Sequence, residues 1–350
     1  MAVIRPIEEA DLDALIAMAR ESGVGVTSLP DDPALMKRKL QRAVASFEQR
    51  LSPEEAHYIF VLQETPDGPP VGLCGIEARI GRDEVWYNYR LGEVIQASKA
   101  LNLYRRTWTL FLSNDLTGAT EMGSLYLREP NRRHRNGLVL AKSRYLFLAA
   151  FPKLFSQRVI AEMRGYSDAE GRSPFWEGLG RQFFNMEFSD ADFLTGTGDK
   201  VFIAELMPKF PIYVPMLCQS AQDAINRVHP LTEPALAMLE SEGFRRNGYV
   251  DIFDAGPTME SSIHEIDGIK RSERLHARIV KRDTSELASS RPHWLIGNER
   301  FSDFRVISAA DVRQTGPHIE LTPDEADALR VRAGDPVRVM TLKPEEPQDG

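Results

Sequence analysis

Between Ser124 and Leu148 the chain passes from a strand, through a basic loop, into an amphipathic helix, and that succession leaves few folds open. Ser124 to Leu127 alternates and is rich in strand formers. Pro130 and Asn131 end that strand. From Leu138 the apolar positions Leu138, Leu140, Tyr145, Leu146, Leu148 and Ala149 fall mostly on one helical stripe. The connection carries Arg132, Arg133, His134 and Arg135, followed by Asn136 and Gly137. A helix start offers unpaired N–H groups and a partial positive charge. Four neighbouring basic side chains add to that field and suit a pyrophosphate. A basic run is ordinarily a solvated face, but its place between strand and helix start favours phosphate binding. His134 alone reads equally well as a solvent-exposed residue.

The rest of the composition narrows the ligand. The chain has 350 residues, 42% hydrophobic and 27% charged, which suits a soluble globular protein with room for two structural units. Net charge is −8, against a general nucleic-acid binder. The basic loop is then a local exception and favours a small anion. Cys74 and Cys218 form neither a disulfide framework nor a metal-ligand spacing, and both read as buried apolar residues. A reducing cytoplasm is expected. No basic segment followed by an apolar run opens the chain, and no apolar stretch approaches membrane-spanning length, so neither a signal peptide nor a membrane partner is expected.

Along the chain, Val3 to Ile7 reads as a strand and Glu8 to Arg20 as a helix, with a break over 23–30. A helix over 31–47 is expected, capped near Asp31 or Asp32 with Pro33 in its first turn. Strands over 57–63 and 71–80 flank a turn-rich Glu64–Pro70 and predict an antiparallel hairpin. Trp108–Leu112 and Gly123–Arg128 continue the sheet. Helices are expected over 155–163, 175–184, 221–227 and 234–242, the last stopped by Gly243, and a strand over 244–253. After about residue 260 short spaced apolar runs and one helix over 323–329 predict a small β-rich subdomain over 261–342. Residues 343–350 are polar and expected to be disordered.

Strand, helix, helix, hairpin, strand, basic loop and helix resembles the order of the GNAT acyl-CoA N-acyltransferases. Arg132-x-x-Arg135-x-Gly137 is similar to their acyl-CoA motif, Arg/Gln-x-x-Gly-x-Gly/Ala, and Ala235 to Phe244 is similar to their later helix ending in Gly-Phe. Longer strings resemble the arginine N-succinyltransferase family over most of residues 3–260: Gly25 to Pro30, Trp86-Tyr-Asn-Tyr-Arg90, Phe111 to Gly118, Glu162-Met-Arg-Gly165, Gly171 to Glu177, Val228-His-Pro230 and Gly248 to Pro257. Beyond 260 the resemblance is loose. It implies an α+β fold, a mixed and mostly antiparallel sheet flanked by helices. Residues 1–260 would form the acyltransferase domain, with 1–210 as its core and 211–260 completing the site. One departure stands out: the family usually has Gly where this chain has Arg135, and a left-handed backbone there would suit arginine poorly.

The resemblance also implies a reaction, the transfer of succinyl from succinyl-CoA to the α-amine of L-arginine. Succinyl-CoA is then a co-substrate, with no resident cofactor and no metal. The amine must arrive neutral, the tetrahedral oxyanion needs donors, and the departing thiolate needs a proton. The resemblance places the oxyanion contact at the Leu125 backbone amide, which a bulged or splayed strand would free. It makes His229, presented from a loop by Pro230, the proton donor. Arg132, Arg133, Arg135, Asn136 and Gly137 are the expected succinyl-CoA contacts. A guanidinium partner is open among Glu162, Asp168, Glu177 and Asp199. Asn88 and Arg90 are candidates to hold a substrate carboxylate. Three alternatives stay open: the same chemistry on ornithine, a subunit of a two-gene enzyme, and a silent acyl-CoA-binding module. A homo-oligomer, or a hetero-oligomer with a related subunit, is expected.

Overall fold

The computed structural model describes residues 1–23, 28–82, 85–197, 201–281, 293–310 and 312–342. The expected disordered tail 343–350, candidate Asp199 and residues 24–27 of the expected break lie outside the described residues.

The first half supplies β1 (Val3–Pro6), β2 (His57–Gln63), β3 (Pro70–Glu77), β4 (Asn88–Ser98), β5 (Leu103–Ser113), β6 (Thr120–Leu127) and β7 (Arg158–Glu162). The second supplies β8 (Ile212–Tyr213), β9 (Arg245–Val250), β10 (Pro257–Ser262) and β11 (Glu273–Ile279). It continues with β12 (His293–Asn298), β13 (Val306–Ala309), β14 (Gln314–Thr315), β15 (His318–Leu321) and β16 (Pro336–Leu342). They join in the order β14-β15-β11-β16-β12-β13-β1-β2-β3-β6-β7-β10-β9-β4-β5-β8. All pairings are antiparallel except β6 with β7 and β11 with β15. This is the mixed, mostly antiparallel sheet of the α+β expectation, and its C-terminal part is β-rich.

Helices α1 (Leu12–Ser22) and α2 (Pro33–Phe47) cover one face of the central strands, and α3 (Asn136–Ala150) covers the other. β2 is therefore buried along its whole length, its Tyr58 to Leu62 an unbroken apolar run between His57 and Gln63. Asp32 caps α2 by accepting from the Ala34 and Leu35 amides, with Pro33 at the first turn, as the residue pattern predicts.

Four expectations are corrected. α3 is not amphipathic: Val139 to Leu148 is buried all round, Lys142 and Arg144 included, because the C-terminal strands cover the side that would otherwise meet solvent. Residues 155–163 do not form a helix; β7 occupies 158–162, its Val159 and Ile160 packed between β6 and β10. β-branched pairs of this kind favour a strand once neighbours cover both faces. Cys218 is exposed, at the turn before a short helix, whereas Cys74 is buried as expected. The fourth is an omission: β4 and β5 form one long antiparallel hairpin, from Asn88↔Ser113 to Ser98↔Leu103. Its outer half is exposed on both faces, so no period of two marks it.

Candidate active site

β6 is interrupted where the basic loop begins. Gly75 pairs with Gly123 and Leu73 with Tyr126, so Ser124 and Leu125 together oppose Cys74. This is a β-bulge, and Ser124 lies in the left-handed region at φ 53°. Pairing of β6 with β7 is confined to Thr120↔Val159 and Glu121↔Ile160. Past Glu121 the two strands part, and a cleft of about 1520 Å³ opens over the bulge.

The basic loop closes one end of that cleft. Arg132 donates through Nε to the Leu127 carbonyl at 3.0 Å. Arg133 pairs with Glu64 at 3.2 Å, and Asn136 donates to Glu64 (3.2 Å) and to the Asn131 carbonyl (3.1 Å). Hydrogen bonds from Asn131 and Arg133 hold the Glu64 carboxyl below its ordinary range. His134 is exposed, and both it and Arg135 adopt left-handed backbone, φ 51° and 60°. Arg135 therefore stands where glycine is the unstrained choice. No side chain caps the start of α3. A Cβ on Gly137 would meet protein only at Leu127, 3.8 Å away. Packing does not require glycine there.

His229 sits on the loop before the Glu233–Ser241 helix, next to Pro230, Leu231 and Thr232, which line the cleft. The loop is pinned. His229 N–H donates to the Arg164 carbonyl at 2.9 Å, Gly165 bridges Val228, and the Arg227 guanidinium lies 3.6 Å over the Tyr166 ring. Asp254 in turn accepts from the Gly165 and Gly256 amides at 2.7 and 2.8 Å. Gly165 is bare because a Cβ would stand 2.4 Å from the Asp254 carbonyl. On the ring itself, Nδ1 accepts from the Leu231 amide at 3.2 Å. The neutral imidazole must then carry its proton on Nε2. Burial, and then the Arg164 charge, push its pKa below the ordinary value.

The remaining candidates separate. Glu162 ends β7 in the cleft, and its Oε1 accepts from Trp86 Nε1 (3.2 Å) and Asn88 Nδ2 (2.6 Å). Asn88 is buried beneath it. Arg90 lies elsewhere, paired with Asp115 at 3.4 Å and stacked on Phe111. Asp168 and Glu177 are each engaged in local ion pairs, with Arg172 and Arg181. Sequence reasoning missed a further group in the cleft, His57, Glu77 and Glu121. It is assembled by the register of three strands, which no local pattern reveals.

Comparison with known proteins decides the family. A model described as the arginine N-succinyltransferase beta subunit matches residues 2–268, and one for that subunit's C-terminal domain matches 276–341. The chain belongs to the arginine N-succinyltransferase family. The second match also corrects the looser resemblance read beyond residue 260. Arginine N-succinyltransferases from Escherichia coli and Shigella flexneri are each 47% identical to this family member over 350 residues, 99% of both chains. A solved structure, arginine/ornithine succinyltransferase subunit AI from Pseudomonas aeruginosa, is 34% identical with a TM-score of 0.88, covering 98% of this chain and 99% of that one. Arginine N-succinyltransferases are acyltransferases, and this chain is an enzyme of that class. Among the described residues no group of three or more His, Cys, Asp or Glu is placed to hold a metal ion. No helix among them is long and apolar enough to cross a membrane.

Proposed function

We propose that this enzyme transfers the succinyl group of succinyl-CoA to the α-amino group of L-arginine, giving N2-succinyl-L-arginine and CoA. One observation carries the reading: a bulged strand runs directly into an uncapped, arginine-rich helix start, in a chain 47% identical over its length to arginine N-succinyltransferases. Arg132, Arg133 and Arg135, with the Asn136 and Gly137 amides, bind the CoA phosphates. The Leu125 N–H, outside the β3 ladder, receives the oxyanion. His229 offers its Nε2 proton to the departing sulfur. Glu162, held by Trp86 and Asn88, takes the guanidinium; Asn88 supports that carboxylate, and Arg90 has no part in the reading. Succinyl-CoA is a co-substrate, and no resident cofactor is needed. The free, exposed Cys218 fits a reducing cytoplasm. Assembly with a second copy or a related subunit also belongs to the proposal. Its support is the subunit name of the Pseudomonas relative and the exposed Tyr104 and Trp108 on the β4–β5 hairpin.

The test is thiol release, scanning succinyl-CoA and acetyl-CoA against arginine, ornithine and lysine. Release with succinyl-CoA and arginine supports the reading; none with any pair overturns it. Preference for ornithine supports a second reading, favoured by the name of the Pseudomonas relative. Gly137→Ala probes the phosphate site separately. Alanine is the better helix residue by about 0.5–1 kcal/mol, so the melting temperature should hold or rise. The Kd for succinyl-CoA, by calorimetry, should rise at least about tenfold, because the methyl group intrudes where the pyrophosphate meets backbone.

A further inference from the structure

The cleft holds a row of ionisable groups that the reaction as described does not use. His57 on β2 pairs in register with Glu77 on β3, and Glu77 with Glu121 on β6, so three side chains line up across three strands on one face. The next row on that face contains the paired glycines Gly75 and Gly123. The backbone there is bare. A Cβ on Gly75 would lie 3.3 Å from His57 Nε2 and 3.4 Å from Ser124 Oγ, and one on Gly123 would lie 3.2 Å from Glu121 Oε1. The open space over the two glycines is thus bounded by an imidazole nitrogen, a hydroxyl and a carboxylate, directly beside the bulge that carries Leu125.

Other charges fix the state of this row. Arg42, from α2, donates to both Glu77 carboxylate oxygens, the NH1 bond being 3.2 Å. Lys39, also from α2, donates to the Ser28 carbonyl and lines the same cleft. Burial, aided by Arg42 and Lys39, holds His57 well below the ordinary histidine range, so the ring is neutral at neutral pH. Its Nδ1 lies 3.9 Å from Glu77 Oε2, and no side chain or backbone group among the described residues hydrogen-bonds either ring nitrogen. Burial pushes Glu77 up to about 7 against the pull of Arg42, with Glu121 adding to the rise. The imidazole is therefore unprotonated and able to accept a proton, and Glu77 beside it is the group of the row whose pKa lies near neutral pH.

We propose that His57, backed by Glu77, is a catalytic base that takes the proton of the acceptor's α-ammonium, which docks over Gly75 and Gly123 against Glu121. The inference rests on the acyl-transfer reading above. In steps, the ammonium N–H bond breaks and its proton goes to His57. The freed lone pair forms the C–N bond at the thioester carbon, and the carbonyl electrons move to the oxygen facing Leu125. As the tetrahedral species collapses the C–S bond breaks, and in one coupled transfer the second amine proton goes to the His229 ring while its Nε2 proton goes to sulfur, so the ring stays neutral overall and no imidazolate forms. Amide, CoA thiol and one proton on the His57–Glu77 pair result, and that proton leaves to solvent.

His57→Gln tests it by the pH dependence of kcat/KM for arginine, with calorimetric binding of succinyl-CoA as the folding control. At pH 7 the variant should lose about 100-fold or more, and regain activity as rising pH deprotonates the free amine, with succinyl-CoA binding unchanged. Gly75→Ala is the second variant. Its methyl group enters the space over β3, 3.3 Å from His57 Nε2, replaces no ionisable residue, and should raise KM for arginine more than it lowers kcat. A His57→Gln enzyme within threefold of wild type at pH 7, or one lowered equally at every pH, overturns the base assignment. So does a Gly75→Ala enzyme with unchanged KM. Wild-type protein that releases no thiol with any acceptor refutes the acyl-transfer reading itself, a different result.

Discussion

Replacing His229 by alanine is expected to lower kcat by about 10²–10⁴-fold, the range for loss of a positioned proton donor, with the Kd for succinyl-CoA unchanged. The reason lies in the loop. Nδ1 is engaged by the Leu231 amide, so the group presented is specifically Nε2–H, a donor aimed away from its own backbone. An imidazolium would set an Nδ1–H against the Leu231 N–H and disturb the turn. Because burial and Arg164 lower the ring's pKa, the wild-type ring stays neutral down to below its ordinary range. As pH falls through that lowered pKa, kcat should fall with it, and His229→Ala should lack this acid limb. His229→Gln separates hydrogen bonding from proton transfer. An amide N–H can solvate the sulfur but cannot deliver a proton to it. If kcat of the glutamine variant stays above about a tenth of wild type, solvation of the sulfur is enough; if it matches the alanine variant, transfer is required. A kcat within threefold of wild type for alanine removes His229 from the chemistry. Stopped assays of thiol release across pH 5–9 give all three answers.

How much of this was legible depended on the range of the interaction involved. The basic loop is a local device: Pro130 and Asn131 stop a strand, the arginines follow, and α3 begins at Asn136. All of it lies within one turn of chain and could be read directly. The Asp32 cap and the Gly243 stop, φ 90°, were local for the same reason. The bulge was different. Its position at Ser124 and Leu125 depends on two glycine-bearing strands pairing at Gly75↔Gly123, and a residue string cannot state its own register. β7 was misread because Val159 and Ile160 are strand residues only once β6 and β10 flank them. α3 looked amphipathic because Lys142 and Arg144 mark a polar stripe, and in isolation a polar stripe means solvent. Each has a buried partner contributed from elsewhere in the chain: Glu242 for Lys142, and the Gly75 and Gly123 carbonyls for Arg144. Glu162 could be named from its string, but Trp86 and Asn88 reach it only across the sheet.

Lys142→Met is expected to cost about 3–5 kcal/mol of folding free energy. Lys142 Nζ and Glu242 Oε1 are 2.5 Å apart, with side chains only 7% and 5% exposed. Removing the lysine leaves a carboxylate enclosed in the core without its cation, and an uncompensated buried charge carries a penalty of that size. Glu242 has a second duty, accepting from the Gly268 amide at 2.6 Å. Substituting it alone by leucine should therefore be costly too, since both a lysine and an amide lose their acceptor. The double variant Lys142→Met with Glu242→Gln removes both charges while keeping an oxygen for Gly268. It should recover most of the loss, because the pair's mutual attraction largely offsets the cost of burying it. Urea midpoints for the single and double variants give the coupling directly, and a Lys142→Met loss below about 1 kcal/mol would show that the pair is not the anchor described. The location adds a functional consequence. Lys142 sits two turns into α3, which begins directly after the basic loop, and Glu242 closes the helix that starts just after His229. The ion pair thus joins the element proposed to bind the acyl donor to the one that follows the proposed proton donor. For the double variant, stability regained with kcat still depressed would mean that the charges fix the spacing of these two helices more finely than packing alone.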